Sequence, residues 1–156
     1  MKTKVSILIF LFFLLAGCGN LGDFAENKVI KGASWDINDI CRYEYLSTDT
    51  TNAKDIFINL RHTGMYKYSN IYFFVTTLAP DGKSLKDTVE FTLADARGKW
   101  AGSGIGDLYD VELAYKRYVK FGQPGRYIFY IQHGMRDKKL DDVTDVGISI
   151  RSGENE

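Results

Sequence analysis

The stretch Ile56-Phe57-Ile58-Asn59-Leu60-Arg61 decides the fold class. Ile56, Ile58 and Leu60 alternate with Phe57, Asn59 and Arg61, and a period of two puts one set of side chains on each face of an extended strand. A helix would need its apolar residues three and four apart. The same alternation recurs on both sides. Upstream, Cys41, Tyr43 and Tyr45 alternate with Arg42 and Glu44; downstream, Ile71 to Leu78 is aromatic and β-branched, as suits a buried strand. Thr88 to Leu93, Tyr109 to Leu113, Arg126 to Gln132 and Val146 to Arg151 continue the series. Pro80-Asp81-Gly82 and Gln123-Pro124-Gly125 favour tight reversals between strands. With no helical periodicity after Cys18 and no βαβ alternation, the chain reads as all-β, an antiparallel β-sandwich with a jelly roll as one possible arrangement. Strand order is left open by the sequence.

The N-terminus carries a different signal. Lys2 and Lys4 precede an apolar run from Val5 to Leu15, and Leu15-Ala16-Gly17-Cys18 places small residues immediately before a cysteine. This is the layout of a bacterial lipoprotein signal, cleaved before Cys18. A membrane span needs about 20 apolar residues, and this run ends at Gly17, Gly19, Asn20 and Gly22. The Cys18 thiol is expected to take a thioether-linked diacylglycerol, and the freed amine a further acyl chain. Each buried methylene contributes about 0.8 kcal/mol, so two or more chains hold a protein on a membrane where one is marginal. The expected organisation is a signal peptide at 1–17, a lipidated N-terminus and tether at 18–33, and one β-sandwich domain at 34–156.

Cys41 is the one further cysteine of the mature chain, so stability must come from the core and not from an intrachain disulfide. The aromatic content supports such a core: ten tyrosines, ten phenylalanines and two tryptophans, of which Phe10, Phe12 and Phe13 leave with the signal. Basic and acidic residues balance at 20 each. Losing Lys2 and Lys4 leaves the mature chain slightly acidic, which does not suit nucleic acid, a ligand that demands concentrated positive charge.

Catalytic chemistry has few candidates, and no catalytic residue, metal site or cofactor is assigned. His62 and His133 are the only histidines and neither has metal-ligand spacing. Cys41, on an alternating strand, reads as a small buried hydrophobe. Gly98-Lys99 lacks the following Ser or Thr of a phosphate loop, since Trp100 stands there, and Gly102-Ser103-Gly104 lacks the context of a nucleophile elbow. Asp95, Asp107 and Asp110 offer oxygen ligands for calcium, although glycine-rich connections also use aspartates for Asx-turns. Trp100, among Gly98, Gly102, Gly104 and Gly106, reads either as an exposed aromatic platform for a sugar or a protein partner, or as a plug closing one end of the core.

Several blocks together resemble one family. They are the Cys18 lipobox; Tyr68-Ser69-Asn70-Ile71-Tyr72-Phe73-Phe74; the run from Lys86 to Asp95; Gly98-Lys99-Trp100 with Gly102, Gly104, Gly106-Asp107 and Tyr109-Asp110; Gln132-His133-Gly134-Met135-Arg136; Leu140; and Asp145-Val146-Gly147-Ile148. In order and spacing the chain resembles the GldH gliding-motility lipoproteins of Bacteroidetes. The resemblance implies an outer-membrane lipoprotein of the gliding motility and type IX secretion machinery, working without catalysis through other envelope proteins. It also implies a glycine or other small residue where this chain has Asp141-Asp142. Gly98, Trp100, Gly102, Asp107, Met135 and Arg136 are the candidate partner-binding residues, chosen by motif density. Gly19 and Asn20 lack an inner-membrane retention aspartate, and Asn20 to Glu26 carries only Asp23 and Glu26, so the expected location is the periplasmic face of the outer membrane. A glycan-binding envelope lipoprotein is the alternative, on the strength of the tyrosines, the tryptophans and the sandwich.

Overall fold

The computed structural model describes residues 24–153. Ten strands follow in chain order: β1 (Phe24–Val29), β2 (Ser34–Asp36), β3 (Cys41–Ser47), β4 (Lys54–Thr63), β5 (Asn70–Leu78), β6 (Ser84–Thr92), β7 (Leu108–Val119), β8 (Gly125–His133), β9 (Lys139–Asp141) and β10 (Val143–Ser152). A single 3-10 turn, Lys31–Ala33, joins β1 to β2.

The strands form two four-stranded antiparallel sheets, ordered β1-β10-β4-β7 and β3-β8-β5-β6, and a small ribbon of β2 with β9. Most successive long strands lie in opposite sheets, while β5 and β6 form a hairpin within one. This interleaving is the eight-stranded jelly roll, and it supplies the strand order that the sequence left open. The expected antiparallel sandwich is what the chain forms.

Side-chain alternation explains the two layers. Ile56, Ile58 and Leu60 of β4 and Val146, Ile148 and Ile150 of β10 face Tyr43 of β3, Phe73 and Val75 of β5, and Phe129 and Ile131 of β8; all are nearly or fully buried. Cys41 lies among them, its thiol pushed up by burial, as its reading as a small hydrophobe requires. The Tyr43 hydroxyl reaches across the core and donates to the Val146 carbonyl at 2.6 Å, so a polar atom inside the sandwich is satisfied. No helix of the described residues is long and apolar enough to cross a membrane.

One boundary differs from the sequence reading. The tether assigned to 18–33 is strand from Phe24 onward, with Phe24 to Val29 paired residue by residue against Ile150 to Asp145. Hydrogen bonding along an edge holds β1, and Phe24 and Lys28 are its only half-buried side chains, so it shows no apolar rhythm to read. The domain therefore starts ten residues earlier than position 34. The signal peptide and Cys18 lie outside the described residues.

The topology gives the sandwich two distinct ends. Phe24 and the turns β3–β4, β5–β6 and β7–β8 lie at one, here called the tether end. The connections β4–β5, β6–β7 and β8–β9 lie at the other, the loop end, with β2 and β9 closing it.

Candidate functional site

The loop end is built around His62, the inward-facing residue near the end of β4. Its ring stacks on Tyr109 at 5.6 Å and meets Trp100 edge-on at 4.8 Å and Tyr66 at 5.4 Å. Nδ1 donates to the Thr63 carbonyl at 2.8 Å, and burial pushes the imidazole below its ordinary pKa, so the ring is neutral. Trp100 is half-buried within this cluster. It holds the long β6–β7 connection onto the core, which matches the plug reading and not a free platform.

Around Trp100 the chain makes a tight hairpin. Ala94 bridges Trp100, Asp95 accepts from the backbone N–H groups of Arg97 and Lys99 at 2.8 and 2.9 Å, and Gly98 takes φ +79 to complete the reversal. Asp95 is thus an Asx-turn residue, its carboxyl held below the usual range by those donors. Beyond it Ser103 bridges Asp110, and Gly102 at φ +87 lets the Asp110 carbonyl approach so closely that a Cβ would sit 2.1 Å from its oxygen. Asp110 forms a two-point pair with Arg61, at 2.6 and 3.1 Å, over a polar cleft of about 350 Å³ on the outer face of the first sheet. Asp107 is exposed, and its carbonyl accepts from the Gly64 N–H at 2.9 Å. Asp95, Asp107 and Asp110 are therefore engaged separately, and among the described residues no three His, Cys, Asp or Glu converge on a metal-sized site.

Met135 and Arg136 stand at the same end but on the other sheet. Met135 is half-buried with its Sδ 3.4 Å from the Tyr72 backbone N–H, and Arg136 is exposed. Together with Tyr68, Asn70, Tyr72 and Gly134 they line a cleft of about 490 Å³. A ladder of rings joins the two candidate segments: Trp100 to Tyr66 at 6.2 Å, Tyr66 to Tyr68 at 6.1 Å, and the Tyr68 hydroxyl donating to Asp137 at 2.6 Å. Sequence reasoning missed Tyr66 and Asp137 as connectors. The alternation Tyr66-Lys67-Tyr68 beside a strand end was their only signal.

His133, at the end of β8, is fully buried with its ring edge-on to Trp35 at 5.1 Å, and burial lowers its pKa against a weaker opposing effect of the Trp35 backbone. Trp35 in turn donates through Nε1 to the Asp39 carbonyl at 2.8 Å, fixing β2 across the loop end. Both histidines are core residues of this end.

Fold and site together define a jelly-roll domain whose loop end carries an aromatic cluster and two clefts bordered by polar residues. The model of the GldH lipoprotein family matches residues 23–150, and the chain belongs to that family. It is similar to a gliding motility lipoprotein GldH homolog of Christiangramia forsetii, 32% identical over 99% of this chain and 100% of that one. It is likewise similar to the gliding motility lipoprotein GldH of Flavobacterium johnsoniae, 30% identical over 96% of this chain and 98% of that one. Among solved structures, a carbohydrate-binding module specific for non-crystalline cellulose superposes with TM-score 0.47 at 9% identity, covering 83% of this chain and 73% of that one. As a GldH lipoprotein the chain is a membrane-anchored protein of the cell envelope, of the gliding-motility type.

Proposed function

We propose that the protein is held by acyl chains on Cys18 at the periplasmic face of the outer membrane, and that it serves the gliding motility and type IX secretion machinery as a non-catalytic accessory. It acts by protein contacts made at the loop end, through the Gly98–Asp107 connection and the Met135-Arg136 turn. The observation that carries this reading is the separation of the two ends. The chain enters at Phe24, on the row of Ile150 and Ile56, while the β6–β7 and β8–β9 connections leave from the opposite end. Ten residues of β4 span about 30 Å between them at 3.3 Å per residue. Exposed Met65 (74%) and Ile105 (93%) stand on loops joined by the Gly64–Asp107 hydrogen bond, Leu108 (41%) begins β7 beside them, and together they supply apolar surface for such a contact.

Affinity purification of the full-length chain from gently solubilised membranes tests it. Recovery of motility or secretion components, reduced by Arg136→Glu, is the expected result; recovery of neither class of component contradicts it.

One observation favours a glycan as second reading. On the outer face of the second sheet Tyr72, Phe74 and Tyr130 are half-buried, and this face runs into the cleft with Asn70 and Arg136. Rings beside amide and guanidinium donors suit sugar faces. Polysaccharide binding that disappears in Tyr72→Ala supports it, and a flat response on a broad glycan array removes it.

A further inference from the structure

Phe24 lies opposite Ile150, Ile150 opposite Ile56, and Ile56 opposite Lys116, so one row across the first sheet links the chain's entry to the end of β7. Three strand spacings separate Phe24 from Lys116, about 15 Å. Cys18 precedes Phe24 by six residues, which reach at most about 20 Å when extended. A lipid on Cys18 therefore keeps this rim near the bilayer.

The rim carries an unusual residue. Tyr118 has φ +56, and its side of the chain is exposed, at 43%. A left-handed φ is disfavoured for a residue with a bulky side chain. Nearly buried Asp55 holds it: Oδ1 accepts the Tyr118 backbone N–H at 2.9 Å, and Oδ2 pairs with Arg117 at 2.9 Å. Among the described residues the other carboxylates of this rim are also engaged locally. Asp49 accepts from Thr51 and Asn52, Asp81 pairs with Lys83, and Asp87 is shared by Tyr115 and Lys116. Among the described residues Lys120, also exposed, has no carboxylate partner.

We propose that this rim rests on the anchoring membrane, with Tyr118 and Lys120 seated among the lipid headgroups. The inference rests on the lipidation of Cys18 proposed above. A tyrosine ring places its apolar body toward the acyl region and its hydroxyl in water, and a lysine lays its methylenes along apolar surface while its ammonium stays with phosphate. Ion pairing of Asp55 with Arg117, Asp81 with Lys83 and Asp87 with Lys116 offsets part of the negative charge that this rim would otherwise bring to anionic headgroups. Membrane contact then sets the orientation of the domain, and the loop end is presented away from the bilayer.

The experiment places an environment-sensitive fluorophore at Tyr118→Cys, or at Lys120→Cys should the first variant fold poorly, and at Ile105→Cys as the comparison. The full-length lipidated protein is reconstituted on vesicles of phosphatidylcholine and phosphatidylglycerol carrying a nitroxide headgroup quencher. The expected result is loss of most fluorescence at 118 or 120 and little at 105. Quenching at 105 but not at 118 or 120, or at none of them on protein that floats with the vesicles, overturns the proposal. Flotation of the parent against Cys18→Ser judges the anchor separately. A parent chain that does not float removes the Cys18 reading and this one with it.

Discussion

His62 and His133 are neutral because burial disfavours their charged forms, and both fall below the ordinary value of 6.5. Between those lowered values and pH 6.5 the unfolded chain binds protons that the folded chain does not, so stability is full above about pH 6.5 and declines as pH falls. Urea midpoints at pH 7.5 and 5.5 are expected to differ in that direction, and the double variant His62→Leu, His133→Leu is expected to shrink the difference. Glycines of the Trp100 loop divide by their surroundings. Gly102→Ala forces a Cβ onto the Asp110 carbonyl and should cost about 2–3 kcal/mol, whereas Gly98→Ala meets open space and pays only the left-handed backbone, about 1 kcal/mol. Thermal melts of the two variants check the ranking. Of the Asp141-Asp142 pair, where the resemblance implies a glycine or other small residue, Asp142 takes φ +69; aspartate tolerates this conformation, and its carboxylate accepts the Thr63 hydroxyl at 2.7 Å. The Asx-turn role of Asp95 was legible from composition. The use of Trp100 as a plug was one of two readings, because burial depends on Tyr66 and Tyr109, which come from distant parts of the chain.

Strands with one clean apolar face were readable from period two alone, and β3, β4, β5, β8 and β10 follow it closely. Strand β7 runs six residues past its legible apolar part, through Ala114-Tyr115-Lys116-Arg117-Tyr118-Val119, because Lys116 and Arg117 disguise a segment paired with β4 and held by Asp87 and Asp55. β2 and β9 were not legible: three residues each give no rhythm, and Trp35 against Leu140 secures them through a contact far apart in sequence. Trp35 is fully buried, so Trp35→Ala should destabilise the domain by about 3–5 kcal/mol and release the ribbon that closes the loop end. Hydrogen exchange would register the ribbon's loss as faster exchange at Asp36 and Leu140. Asp55→Ala should cost about 1–3 kcal/mol by freeing the Tyr118 N–H and Arg117 together, and denaturant titration measures it.

At the scale of the molecule, the jelly roll converts a linear order of strands into two ends that carry different segments of the chain. Phe24 lies at one end; the Trp100 connection, the Met135-Arg136 turn and the exposed Met65, Ile105 and Leu108 share the other. That polarity could not be read before the strand order was known, since a sandwich wound differently would scatter the same loops over both ends. Photo-cross-linking in cells from positions 98 and 136, with position 82 at the tether end as reference, tests the polarity directly. Adducts with motility or secretion proteins are expected from 98 or 136 and few from 82. Adducts arising chiefly from position 82, with none from 98 and 136, would contradict that polarity.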